Sequence, residues 1–192
     1  MEQAVFLDRD GVIITDTHLL TQFTQIQLLT GVAQALRDLA RVGFKLIVVS
    51  NQTVVARGLA SELEVQAINA EIQRQLEQEG GPVLDAFYFC PHHSQATLPA
   101  YRINCACRKP QPGMLLTAAT ELNLNLTASF MIGDRMTDII AGFKAGCRTI
   151  WLQTGMHTAP PIETTGGLDL SVQPDYTCDN LRQAANWILN LR

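Results

Sequence analysis

The sequence predicts an α/β fold: a Rossmann-like, mostly parallel sheet with helices on both faces. Three observations predict it. Wholly apolar runs of three or four residues (Ala4-Val5-Phe6-Leu7, Leu46-Ile47-Val48-Val49, Phe130-Met131-Ile132) suit strands covered on both faces. Segments with helical spacing alternate with those runs, the order that parallel sheets require. Acidic or hydroxyl residues stand just beyond the runs, where open α/β sheets place their ligands.

The elements follow in order along the 192 residues. A strand over 4–7 leads into a long connection that includes Thr15 to Thr30. A helix is predicted over 31–42, with Val32, Ala35, Leu36 and Leu39 on one face and Gly43 just past its end. A strand over 45–49 and a polar loop precede a helix over 61–79, where Ser61 and Glu64 form a capping-box pattern. Gly80-Gly81-Pro82 stops that helix, and Phe87-Tyr88-Phe89 reads as a strand. A helix near 113–122, a strand near 129–132, a helix over 136–145 ending at Gly146 and a strand over 148–152 complete the alternation. Residues 156–174, rich in Thr, Pro and Gly, read as a loop before a terminal amphipathic helix carrying Leu181, Ala184, Ala185, Ile188 and Leu189. A single domain over 1–192 is expected, with no separate cap domain, because no insertion is long enough to fold alone.

Bulk properties narrow the function classes. An apolar fraction of 47% with mixed charge fits a soluble globular chain, and no apolar run reaches the roughly 18 residues of a membrane span. A net charge of −4 argues against nucleic acid or an anionic membrane as partner. No basic stretch followed by an apolar segment opens the chain, so the cytoplasm is the expected location. Five cysteines, an odd count, do not suggest a disulfide framework. Cys147 and Cys178 stand apart and read as packing residues.

Asp8-Arg9-Asp10-Gly11 carries the most chemistry. Two carboxylates two residues apart at a strand end can share a site, one attacking while the other carries a proton. Alone, such a stretch is also an ordinary turn. Ser50-Asn51-Gln52 after the second strand, Arg108-Lys109-Pro110 before a helix, and Gly133-Asp134 after another strand change that reading. A hydroxyl, a base and acids converging at strand ends make a phosphate and metal site. Cys90-Pro91-His92-His93 and Cys105-Ala106-Cys107 form two short chelating pairs that a hairpin-length loop can bring together. Such pairs supply the four N/S ligands of a closed, structural zinc site. The residues alone do not separate His92 from His93.

Taken in order, these motifs resemble the haloacid-dehalogenase-like phosphatases. The closer likeness is to the branch holding D-glycero-D-manno-heptose 1,7-bisphosphate phosphatase and histidinol-phosphate phosphatase. Phe6 to Gly11, Ser50-Asn51-Gln52 with Ala56-Arg57-Gly58, the Cys90 and Cys105 segments through Gly113-Met114-Leu115, and Gly133-Asp134 carry it, over about residues 4 to 155. The resemblance implies a Mg²⁺-dependent phosphomonoester hydrolase with an aspartyl-phosphate intermediate. Asp8 would be the nucleophile and Asp10 the general acid and base. Ser50, Asn51, Arg57, Arg108 and Lys109 would bind phosphate or substrate. Mg²⁺ would be held by Asp8, Asp10 (through its carbonyl) and Asp134. Asp138 is a candidate to hold a metal-bound water, with a solvated first-turn acid as the alternative. Zn²⁺ would be held by Cys90, His92, Cys105 and Cys107, His92 being preferred by the resemblance. A sugar bisphosphate is the favoured substrate, histidinol phosphate or another small phosphate ester the alternative, and a monomer is expected. The chain departs from the branch's usual residues at Ile14, Leu19-Leu20, Val54 and Arg135, in the loops that would meet substrate rather than in the catalytic set.

Overall fold

The computed structural model describes residues 1–154 and 171–191. Six parallel strands, β1 (Ala4–Leu7), β2 (Lys45–Asn51), β3 (Ala86–Cys90), β4 (Phe130–Gly133), β5 (Arg148–Leu152) and β6 (Tyr176–Cys178), form one sheet in the order β3-β2-β1-β4-β5-β6. β1 pairs with β2 on one side (Phe6 opposite Ile47) and with β4 on the other (Phe6 opposite Met131). The chain therefore builds outward from β1 in one direction and then, from β4, in the other. The point of reversal lies between β1 and β4, which is where open α/β sheets form a crevice at the strands' carboxyl ends.

Successive residues of each strand face opposite sides, and the core divides accordingly. Val5, Leu7, Leu46, Val48, Ile132, Ile150 and Leu152 pack with α1 (Val32–Arg41), α3 (Glu62–Gln78) and α6 (Leu181–Leu189). Ala4, Phe6, Ile47, Val49 and Met131 pack with α4 (Gly113–Glu121) and α5 (Met136–Ala145). Burying both faces explains why these strands read as continuous apolar runs rather than alternating ones. Among the described residues no second domain caps the sheet, and no helix is long and apolar enough to cross a membrane.

Local signals account for most helix ends. Ser61 Oγ accepts from the Glu64 amide at 3.2 Å while Glu64 Oε2 accepts from the Ser61 amide at 2.7 Å, closing the capping box of α3. Gly146 takes a left-handed φ of 83° at the end of α5. Two elements differ from the sequence reading. The loop after Ser50 contains one helical turn, α2 (Thr53–Ala56), and β6 is a sixth strand. Both are too short for periodicity to mark. Most of the loop expected over 156–174 lies outside the described residues; 171–174 carry neither helix nor strand.

Candidate active site and metal centres

Asp8 directly follows β1, and its amide continues the ladder to the Ile132 carbonyl of β4 at 3.0 Å. Gly11 then turns the chain with φ +80°; a Cβ there would stand 2.3 Å from Asp134 Oδ2, so only glycine lets the two strand ends approach. Gly133 does the same at the end of β4, where a Cβ would meet the Asp138 side chain at 2.2 Å. Trp151 of β5 donates its indole N–H to the Asp134 carbonyl at 3.1 Å and steadies that turn.

These approaches gather Asp8, Asp134 and Asp138, all buried, with carboxylate oxygens within 4.8 Å of one another. Lys109 lies among them. Its Nζ stands 3.0 Å from Asp8 Oδ1 and 2.6 Å from Asp138 Oδ1, and donates to the Val49 carbonyl at 2.7 Å. Asp138 is therefore no solvated first-turn acid: it is fully buried, ion-paired, and its Oδ2 also accepts from the Arg135 amide at 3.0 Å. Burial pushes the Asp8 carboxyl above its ordinary range, helped by the charge of Asp138 and opposed by Lys109. For Lys109, burial works downward, but Asp138 and Asp8 outweigh it and hold the ammonium above its ordinary value. Three buried carboxylates facing one ammonium leave the cluster electron-rich, and hard oxygen donors of this kind fit Mg²⁺.

Ser50 and Asn51 end β2 beside this cluster. Asn51 clasps the backbone of Lys109 from both sides, its Nδ2 donating to the carbonyl at 3.0 Å and its Oδ1 accepting from the amide at 3.1 Å. Asp10 faces a network that sequence reasoning did not identify. Arg9, only 1% exposed, sends Nε to Asp10 Oδ2 at 3.1 Å and Nη2 to Oδ1 at 3.2 Å. Gln52 links Asp10 Oδ2 (3.0 Å) to Ser50 Oγ (2.7 Å). Asn69 of α3 accepts from Arg9 Nη1 at 3.2 Å. Asn69 was visible as a polar residue within the apolar stripe of Val65, Ile68, Ile72 and Leu76. Arg135, at the start of α5, pairs with Asp16 at 2.9 Å and joins the loop after β1.

The second cluster joins the end of β3 to the loop that leads to α4. Cys90, His92, Cys105 and Cys107 bring their ligand atoms within 4.8 Å of one another. The sulfur separations are 3.1 to 3.4 Å, and His92 Nδ1 lies 3.5 Å from Cys107 and 3.7 Å from Cys90. A tetrahedral zinc thiolate has edges of about 3.8 Å, so an ion would ask the sulfurs to spread by a few tenths of an ångström. Three thiols and an imidazole fit zinc in a closed structural site. Close sulfurs split their proton affinities: the hydrogen bond between Cys107 and Cys90 holds the Cys107 thiol down to about 5, and Cys90 is pushed up in turn. His93 is not in the cluster; its Nδ1 accepts from the Gln95 amide at 3.0 Å. The loop is docked onto α4, since Gly113 donates to the Ala106 carbonyl at 2.9 Å and a Cβ there would stand 2.2 Å from that oxygen.

Arg108 is half-buried and donates to the His92 carbonyl at 3.1 Å. Arg57 is exposed and lines a small polar cavity with His93, Gln95, Ala96 and Thr97. It is not part of the carboxylate cluster. Leu19 and Val54, two of the departures noted above, share an apolar cluster with Val55 and Val65, and Ile14 is fully buried. Burial lifts the Cys147 thiol to about 12 and the Cys178 thiol to about 11, as suits packing residues.

A parallel sheet in this strand order, with carboxylates at the ends of β1 and β4 and a lysine between them, defines a HAD-like hydrolase. A family model described as HAD-hydrolase-like matches residues 106–184. The chain is 38% identical over 187 residues to D-glycero-beta-D-manno-heptose-1,7-bisphosphate 7-phosphatase of Photorhabdus laumondii, covering 97% of this chain and 89% of the relative. It is 35% identical over 188 residues to the Escherichia coli K12 enzyme of that name, covering 97% and 88%. The crystal structure of D,D-heptose 1,7-bisphosphate phosphatase from B. bronchiseptica, complexed with magnesium and phosphate, superposes with a TM-score of 0.82 at 31% identity, covering 99% of both chains. The chain belongs to the heptose-1,7-bisphosphate 7-phosphatase family of HAD-like phosphatases.

Proposed function

We propose that the protein is a Mg²⁺-dependent phosphatase that removes the C7 phosphate of D-glycero-β-D-manno-heptose 1,7-bisphosphate. The observation that carries this reading is the near full-length likeness to phosphatases of that name, with the carboxylate–lysine cluster intact. In this reading Asp8 attacks phosphorus and becomes an aspartyl-phosphate, dividing hydrolysis into two displacements. Asp10 gives a proton to the departing sugar oxygen and later takes one from the water that cleaves the intermediate. Ser50 and Lys109 hold non-bridging phosphate oxygens, with Asn51 keeping Lys109 in register. Asp8, the Asp10 carbonyl and Asp134 hold Mg²⁺, with Asp138 as an outer partner; the ion offsets charge repulsion between carboxylate and phosphate.

Cys90, His92, Cys105 and Cys107 hold a structural Zn²⁺ that stiffens the loop presenting Arg108 and Lys109. Arg108 suits a second anionic group through its planar fork, and Arg57 reaches substrate from the rim. Every group of the site comes from one chain, which suits a monomer, and cysteines used as metal ligands rather than in disulfides suit the reducing cytoplasm.

The deciding measurement is kcat/KM with Mg²⁺ for the heptose bisphosphate and histidinol phosphate side by side. A preference of a hundredfold or more, about 2.7 kcal/mol of differential transition-state binding, is expected for the bisphosphate. Slow and similar rates would assign the site to another small phosphate ester.

A further inference from the structure

We infer that Gln52 is a positioning residue that aims the Ser50 hydroxyl, holding Oγ as an acceptor so that its proton is presented to a non-bridging oxygen of the phosphoryl group. This rests on the proposed role of Ser50 in gripping phosphate. Gln52 is only 4% exposed, and its backbone amide donates to the Cys90 carbonyl at 2.8 Å, which ties it to the end of β3. Its side-chain Nε2 donates to Ser50 Oγ at 2.7 Å and to Asp10 Oδ2 at 3.0 Å. Its Oε1 accepts from Arg9 Nη2 at 2.9 Å.

Arg9 decides which end of the Gln52 amide faces Ser50. A guanidinium only donates, so the amide oxygen must face Arg9 and the NH₂ group must face Ser50 and Asp10. The guanidinium is itself fixed: Nη1 donates to Asn69 at 3.2 Å, and Nε and Nη2 donate to the two oxygens of Asp10 at 3.1 and 3.2 Å. An amide nitrogen accepts nothing, so the Ser50 proton cannot point at Gln52. The hydroxyl therefore meets the phosphate already turned as a donor, the orientation that an anionic oxygen rewards most strongly. Lys109 brings charge to the grip, and Gln52 gives its other donor a direction. Asp10 and Ser50 depend unequally on Gln52. Without its amide, Asp10 keeps Arg9 on both oxygens, whereas Ser50 Oγ loses the donor that orients it.

A double-mutant cycle separates these two partners. Gln52→Met, which removes the amide, is placed in wild type and in Ser50→Ala. The readout is the inhibition constant of inorganic phosphate against Mg²⁺-dependent turnover of whichever ester the protein cleaves fastest. Phosphate has no leaving group to protonate, so this constant reports the grip on its oxygens. Ser50→Ala should raise it about tenfold, the order of one hydrogen bond to a charged group. Gln52→Met should raise it about fivefold alone but less than about twofold in Ser50→Ala, because the hydroxyl it aims is then gone. In Ser50→Thr, which keeps a hydroxyl, Gln52→Met should again cost about fivefold. Should Gln52→Met prove unfolded by circular dichroism, Gln52→Glu takes its place in the cycle; it keeps the shape and the acceptor for Arg9 but turns an acceptor toward Ser50. Equal losses in wild type and Ser50→Ala, or none in either, would overturn the inference and leave Gln52 a support for Asp10 or for packing. Wild-type protein without Mg²⁺-dependent turnover of any small phosphate ester would instead overturn the proposed phosphatase reading.

Discussion

The two clusters of metal-binding side chains are built on opposite plans. In each, the candidate ligand atoms lie within 4.8 Å of one another. The carboxylates project from the ends of β1 and β4 and the first turn of α5, elements pinned by ladder hydrogen bonds and a packed core. Cys90 ends β3, but His92, Cys105 and Cys107 sit on the connection of 22 residues from there to α4, which carries only one 3₁₀ turn of its own. Where the scaffold already fixes the ligands, an ion can keep open positions and serve chemistry. Where it does not, the ion must supply the order itself.

Four experiments break or sharpen that contrast. The largest effect should come from Asp8→Asn, with kcat/KM falling at least about a thousandfold, as for nucleophiles elsewhere, while the melting temperature moves by only a few degrees. Retained turnover would remove Asp8 from the centre of the chemistry. Cys107→Ser should do the reverse, losing bound zinc by atomic absorption and several kcal/mol of stability, with KM for the bisphosphate rising because Arg108 loses its support at the His92 carbonyl while Asn51 keeps Lys109 in place. If its melting curve matched wild type, the loop would be ordered without an ion. Gly133→Ala should cost about 2 kcal/mol by overpacking against Asp138, read by urea denaturation.

The smallest effect concerns pH. Lys109's folded pKa is raised above 10.5, so its contribution is fully present below that value and is lost as pH climbs through the folded pKa. The melting temperature of metal-free protein should therefore fall more steeply above about pH 10.5 than that of Lys109→Met. Parallel alkaline limbs would mean the ammonium adds no net stability. Asp8 works in the acid range with the same sense. Its raised folded pKa means that the folded state gains stability as falling pH protonates this carboxyl.

What could be read beforehand follows the same division. β1, β2, β4 and β5 were legible because burial on both faces leaves an apolar run, and α3 because Ser61 and Glu64 mark its start. β6 has three residues, one of them Thr177, and its pairing with β5 is purely tertiary. Alternation of strand and helix predicts parallel pairing but does not say that β4 joins β1 rather than extending the sheet beyond β3. In the site, Asp8, Ser50 and Asp134 announce themselves by standing at strand ends, and Lys109 by its place in Cys107-Arg108-Lys109-Pro110. Asp138 is a candidate there with its alternative left open, because a first-turn acid is ordinary until a lysine from another segment is placed against it. Arg9, Gln52 and Asn69 stayed hidden for a similar reason: their partners lie 43 and 60 positions apart in the chain.

The clasp of Asn51 on the Lys109 backbone bears on how such enzymes diverge. It fastens the end of β2 to the residue that closes the 91–108 segment, so the spacing of hydroxyl and ammonium does not depend on what lies between. That segment can lengthen, shorten or be exchanged without retuning the phosphate grip. Variation in substrate and constancy of reaction can then evolve side by side in one chain.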